Sequence, residues 1–245
     1  MQEKYEQLLA KLRDIIDLGA AAGILGWDQN TYMPPAAAET RGHQMAVINR
    51  IAHEWATSEE MGRLLDDLVP YADSLDGNSD EARMIKVAKH DYDIATRVPS
   101  AFVVEMSQVV TSAFSAWAEA RAKSDFKIFE PHLTKVVDLN QRYAAFFPEV
   151  DHPYDALLDQ FEPGMKTADV KKIFEELRPQ QVELIKAISE KPQVDDSFLH
   201  QPFDEKKQWD FGEEVITKFG YDWERGRQDK APHPFTTTFG FGDTR

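Results

Sequence analysis

"MQEKYEQLLAKLRDII" (residues 1–16) opens the chain, and the spacing of its apolar residues sets how the rest is read. Tyr5, Leu8, Leu9, Leu12, Ile15, Ile16 and then Gly19 fall at steps of three and four, so on an α-helix they share one stripe while the charged residues between them face water. A half-buried strand would need strict alternation instead. The spacing predicts an amphipathic helix whose run ends near Gly26.

The same period recurs outward from there. In "WDQNTYMPPAAAETRGHQ" (27–44) the Met33-Pro34-Pro35 sequence forces an extended connector, because each proline fixes its own backbone and restricts the residue before it. Helical spacing resumes at Met45, Ile48, Ile51, Ala52 and Trp55. Thr57 with Glu60, and Asn78 with Glu81, have the spacing of capping boxes. Further stripes follow at Ile85, Ala88, Tyr92 and Ala95, at Phe102, Met106, Val109, Ala113 and Trp117, and at Phe129, Leu133, Val136, Asn140, Tyr143 and Phe147. Pro99 and Pro148 separate or end them.

"HPYDALLDQFEPGMKTADV" (152–170) contains a turn at Pro163-Gly164 and an N-cap expected at Thr167. Val170, Ile173, Phe174 and Leu177 then form a stripe that Pro179 is placed to bend. "KPQVDDSF" (191–198) reads as a surface loop, and a last helix from about Asp204 to Phe219 stops at Gly220. Only "HPFTTTFGFGDTR" (233–245) reads as extended, with Gly240 and Gly242 marking a bulge or a close backbone approach. A lone strand cannot satisfy its own backbone N–H and C=O groups, so a partner strand is expected from beyond the chain. The expected fold class is all-α, a multi-helix array with one short β segment at its C-terminal end.

Composition narrows the functions. With 245 residues the chain can bury a substantial core as one large helical domain or two small ones. A net charge of −15 disfavours nucleic acid and anionic membranes as partners and suits a soluble cytoplasmic protein. The N-terminal charges interrupt any signal-peptide core, and the apolar run Leu18 to Trp27 is too short to span a bilayer. With no cysteine, thiolate zinc sites, disulfides and cysteine nucleophiles are excluded within these residues.

The seven histidines, His43, His53, His90, His132, His152, His200 and His233, include no pair three or four apart. His53-Glu54 begins like HExxH, but Thr57 stands at the second ligand position, and the pair reads as polar helix surface. His90, Asp91 and Asp93 read as a solvated face. There is no nucleotide-binding glycine loop and no GxSxG elbow. These residues hold no complete catalytic set and no metal site.

Three stretches carry a resemblance: "GILGWDQNTYMPPAAAETRGHQMAVINRIAHE" (23–54), "YDALLDQFEPGM" (154–165) and "FGYDWERGRQDKAPHPFTTTFGFGDTR" (219–245). In this order they resemble the N-terminal signature, the mid-domain segment, and the Gly-Arg-x-Asp, HPF and opening DxRxT motifs of the carboxypeptidase Taq family of zinc metallocarboxypeptidases. The resemblance implies removal of C-terminal amino acids from peptides. In the family an HExxH helix follows DxRxT, and its two histidines with a downstream glutamate hold the zinc. Residues 1–245 are therefore expected to be an N-terminal portion that stops ahead of the zinc helix, supplies one groove wall and lid, and is inactive and metal-free alone.

By the same resemblance His233 and Phe235 match HPF, and Asp243 and Arg245 match the Asp and Arg of DxRxT. They are expected to border the cleft and align substrate. Read without the resemblance, His233 is a turn residue before proline, and Asp243 with Arg245 a local ion pair. Trp27, Asp28 and Gln29 are assigned to packing and loop anchoring. Expected partners are a peptide substrate, the C-terminal half of the enzyme and, as is common in the family, a second copy in a homodimer. The rival reading is a non-catalytic helical interaction protein.

Overall fold

The helical stripes close into nine α-helices. The computed structural model describes residues 1–245, which divide into two compact units, Met1–Phe147 with Arg227–Arg245 and Pro148–Gly226.

In the first unit the apolar stripe of α1 (Gln2–Thr31) packs on α3 (Glu59–Ser74) and α4 (Asp80–Ala95). Tyr5, Leu8, Leu64, Leu65, Leu68 and Ile85 form the centre of this core, and Leu8, Leu65, Leu68 and Ile85 are fully buried. Burying each such side chain stabilises the fold by ~1.5–3 kcal/mol. A second layer joins α2 (Ala38–Ala56) to α5 (Ser100–Lys123), and α5 to α6 (Glu130–Ala144). There Ala46, Phe102, Ala113 and Leu139 are buried, and Phe102 meets Phe146 edge to face at 5.1 Å.

Several local expectations shift. α1 runs through Trp27, Asp28 and Gln29 to Thr31 instead of ending near Gly26. Its last turn is held by Asn30 Nδ2 donating to the Gly26 carbonyl at 2.8 Å and Thr31 Oγ1 to that of Trp27 at 2.8 Å. From α2, Arg41 donates to the Leu25 carbonyl at 2.6 Å. Only then does Pro34 adopt extended backbone, and Pro35–Ala37 makes a 3-10 turn.

The two helix starts also move by one residue. Ser58 Oγ accepts from Met61 N at 3.2 Å, and Ser79 Oγ from Ala82 N at 3.3 Å. Thr57 is already committed, donating back to His53 O at 2.8 Å, and Asn78 Oδ1 accepts from Arg83 at 2.7 Å. Serine, whose short hydroxyl reaches the N3 amide, takes the cap in both places. Trp55, on the predicted stripe of α2, is 48% exposed.

His53 is a tie between helices, not free polar surface. Its Nδ1 lies 3.2 Å from Ser100 Oγ and its Nε2 3.1 Å from the Ala95 carbonyl. His90, Asp91 and Asp93 lie on the exposed face of α4, as their charged neighbourhood predicts.

The second unit holds α7 (Pro153–Leu158), α8 (Thr167–Ser189) and α9 (Glu205–Lys218). The predicted N-cap at Thr167 is replaced by Lys166, and Thr167 instead turns its side chain to Asp155. That carboxylate is buried and accepts from Thr167 N at 2.7 Å, Thr167 Oγ1 at 2.5 Å and His152 N at 3.3 Å. It thereby caps α7 and pins the start of α8. α9 starts after Asp204, whose side chain accepts from Lys207 N at 2.9 Å, and ends ahead of Gly220 at φ +88°, a left-handed position that only glycine takes cheaply.

Candidate substrate-facing site at the terminal hairpin

The closing stretch supplies its own partner strand, which corrects the expectation of an unpaired segment. β1 (Thr238–Gly240) turns through Phe241-Gly242 into β2 (Asp243–Thr244), antiparallel, with a bulge between Thr238 and Gly240. Thr237 and Arg245 exchange backbone hydrogen bonds of 2.7 and 2.8 Å, extending the ladder. Glycines at 240 and 242 let the chain reverse within two residues, so one edge of β1 is paired within the chain.

A two-stranded hairpin is marginal by itself, and this one lies on α1. A Cβ at Gly23 would come within 2.9 Å of the Phe239 ring, so the missing side chain is what admits the phenylalanine. One turn on, the Trp27 ring receives Arg245 at 4.2 Å and Arg227 at 5.1 Å from its centre. Cation–π contacts of this kind contribute ~0.5–2 kcal/mol each, more where water is excluded. Trp27 is itself buried, so its role in packing and anchoring is as the sequence predicts.

Each guanidinium is then fixed by a carboxylate. Arg245 binds Asp243 through Nε at 2.8 Å and Nη2 at 2.9 Å. Arg227 binds Asp229 through Nε at 2.5 Å and Nη2 at 2.7 Å. The Tyr32 hydroxyl donates to Asp229 as well, and Arg227 N donates to the Thr244 carbonyl at 3.1 Å. Arg245 holds the Asp243 carboxyl below the usual range, and Arg227 does the same to Asp229. The Asp229 hydrogen bond raises the Tyr32 phenol, so Tyr32 stays protonated and keeps donating.

The predicted site residues separate into two groups. Asp243 and Arg245 are brought together as the ion pair that the residues alone suggest. His233 sits elsewhere, its ring 6.2 Å from that of Trp117 on α5. Its Nδ1 is 2.8 Å from the Pro234 carbonyl, which can only accept, so Nδ1 is the donor in that contact. Phe235 is 41% exposed. Ahead of His233, Lys230–Pro232 edge a cleft against α5.

Arg227, Asp229 and Tyr32 were not picked out as site residues from the sequence. The Gly-Arg-x-Asp spacing holds the signal for two of them, because residues two apart in an extended chain face the same way. Nothing in the sequence pattern pairs Tyr32 with a residue 197 positions away.

The match to Carboxypeptidase Taq (M32) metallopeptidase runs from residue 7 to residue 245. The chain belongs to this family. Carboxypeptidase 1 of Bacillus subtilis is 32% identical over 237 residues, which are 96% of this chain and 46% of that protein. Thermostable carboxypeptidase 1 of Pyrococcus furiosus is 35% identical over 249 residues, 99% of this chain and 49% of that one. The crystal structure of BsuCP matches with a TM-score of 0.93 at 31% identity, over 99% of this chain and 49% of its own. The chain spans about half the length of the curated relatives it matches. The predominantly helical architecture is that of the solved family members.

Proposed function

We propose that residues 1–245 are the helical N-terminal part of a zinc-dependent metallocarboxypeptidase that removes C-terminal amino acids from peptides. They build one wall of the substrate groove and its lid, and the zinc-binding helix comes from sequence outside them. The observation that carries this reading is the family match over residues 7–245. The aligned pair Asp243 and Arg245, locked onto α1 through Trp27, supports it.

The residues present do not fit a zinc ion. No three His, Asp or Glu side chains converge on a common point, so no ligand is assigned among them and no step of hydrolysis is derived through the metal. What these residues do is position. Arg245 has its Nε–Nη2 edge bound to Asp243 and one face on Trp27, so it ties β2 to α1. Arg245 therefore holds the hairpin in place, while His233 and Phe235 border the substrate. No helix is long and apolar enough to cross a membrane, and the proposed location is the cytoplasm.

Purified residues 1–245, given a blocked dipeptide, are expected to release no amino acid and to retain no stoichiometric zinc after dialysis. One tightly bound zinc per chain, or release by the chain alone, overturns the proposal. The exposed apolar face of α8, with Ile173, Phe174 and Ile185 more than half exposed, favours a second reading, a non-catalytic helical interaction protein of the same fold. The reading frame after codon 245 separates the two: an in-frame HExxH supports the enzyme, and an immediate stop supports the interaction protein.

A further inference from the structure

α8 carries an open apolar stripe. With one residue about every 100° around the helix, Ile173, Phe174, Leu177, Leu184, Ile185 and Ile188 fall within an arc of about 120° that runs for about 22 Å. Only Gln181 interrupts it. Lys172, Glu175, Glu176, Glu183 and Lys186 take the opposite side. All of the apolar six except Leu177 are more than half exposed, and α8 has no buried residue. Single apolar residues on a surface need no explanation, but a contiguous stripe of this length marks an interface.

The breadth of the stripe says what kind of body covers it. A helix that pairs with one other in a coiled coil buries a narrow seam. Here Ile173 widens the line of Phe174, Leu177, Leu184 and Ile188 on one side and Ile185 widens it on the other, which is the breadth of a helix set among several neighbours in a globular core. Pro179 removes an N–H from the middle of α8 on its charged side, which suits a helix bent over a larger body better than a straight two-helix coil. The relatives hold enough chain for such a body: the part matched here is 46% of the Bacillus protein, 49% of the Pyrococcus one and 49% of the BsuCP chain, so about as much again lies outside it.

We propose that the apolar stripe of α8 is buried against the remaining half of the same enzyme, a proposal that rests on reading residues 1–245 as one part of a longer carboxypeptidase. α8 is then the seam between the two halves, and its exposed face receives no separate protein.

Residues 1–245 contain no cysteine, so a single one introduced there reports on its own position. Ile185→Cys and, on the charged side, Glu183→Cys are placed both in residues 1–245 and in the complete zinc enzyme, and maleimide labelling of that peptide is timed by mass spectrometry. In residues 1–245 the two positions should react at similar rates. In the complete enzyme, its activity confirming the fold, position 185 should fall behind position 183 by about a hundredfold, because the reagent then reaches it only through local opening. If Ile185→Cys does not fold there, amide exchange over 173–188 in the two unsubstituted proteins makes the same comparison, with slower exchange expected in the complete enzyme and equal exchange overturning the inference. Equal labelling of 185 and 183 in an active complete enzyme also overturns it and leaves the carboxypeptidase reading standing. Slow labelling of 185 in residues 1–245 alone, or slow labelling of the complete enzyme that is relieved on dilution to monomer, assigns the stripe to the first unit or to a second copy and overturns it too. An immediate stop after codon 245 removes the inference and the carboxypeptidase reading together.

Discussion

The core helices α1, α3 and α4 and the long helix α8 of the second unit have the same kind of amphipathic sequence, yet they stand in opposite situations. Leu8, Leu65 and Ile85 are fully buried, whereas α8 has no buried residue, and Phe174 and Ile185 are 61% and 64% exposed. In the second unit the side chains of Asp155 and Ala156 are the buried ones, so its organising contact is a carboxylate and not an apolar cluster. Periodicity states which face of a helix is apolar. It does not state what covers that face.

The sharpest test of this contrast is to cut one leucine from the first core. Leu65→Ala is expected to destabilise the chain by about 2–5 kcal/mol, read from urea denaturation, because it removes buried methyl groups and leaves a cavity. Trp27→Leu comes next, at about 2 kcal/mol, since it keeps an apolar side chain but loses the ring that two guanidiniums share. Hydrogen exchange should show the cost concentrated in residues 237–245, and protection there equal to that of the unsubstituted chain would break the account of the clamp.

Asp155 probes the second unit. Its pKa is lowered, first by the Thr167 hydroxyl, so the ionised form is the one the fold stabilises. The contribution is complete above pH ~4, the ordinary carboxylate value, and is lost as pH falls through the lower folded value. Amide protection over 152–167 should therefore fade below about pH 4, and Asp155→Asn should remove that pH dependence while leaving α3 and α4 unchanged. The smallest effect is expected from Ile185→Ser. An exposed residue with no buried contacts to lose should change stability by no more than about 0.5 kcal/mol. A loss comparable with that of Leu65→Ala would mean that the face of α8 is covered in solution.

Most of the helices could be read from the sequence because their stripes are local: Leu8 and Leu12 share a face whatever lies opposite. The end of α1 could not be, because Asn30 and Thr31 hold the turn past Gly26 by donating to the Gly26 and Trp27 carbonyls, and Arg41 of the next helix adds a donor to the Leu25 carbonyl. The helix starts at Ser58 and Ser79 moved by one residue because Thr57 and Asn78 were bound elsewhere. In the candidate site, Asp243 with Arg245 was readable as a pair two residues apart, and the HPF and DxRxT residues were recognisable by resemblance. The clamp around Trp27 was not, because Trp27 lies about 200 residues of chain before Arg227 and Arg245 and meets them only after folding.

By itself, then, the sequence determined the helical class, the acidic surface, the lack of thiol chemistry and the family, all of which follow from residue type and spacing along the chain. Tertiary structure decided that the final strand pairs with itself, that His233 lies against Trp117 apart from the Asp243–Arg245 pair, and that one apolar stripe is buried while another stays open. Those outcomes depend on which groups meet across space, and hydrogen bonds and burial are settled by the partner as much as by the residue.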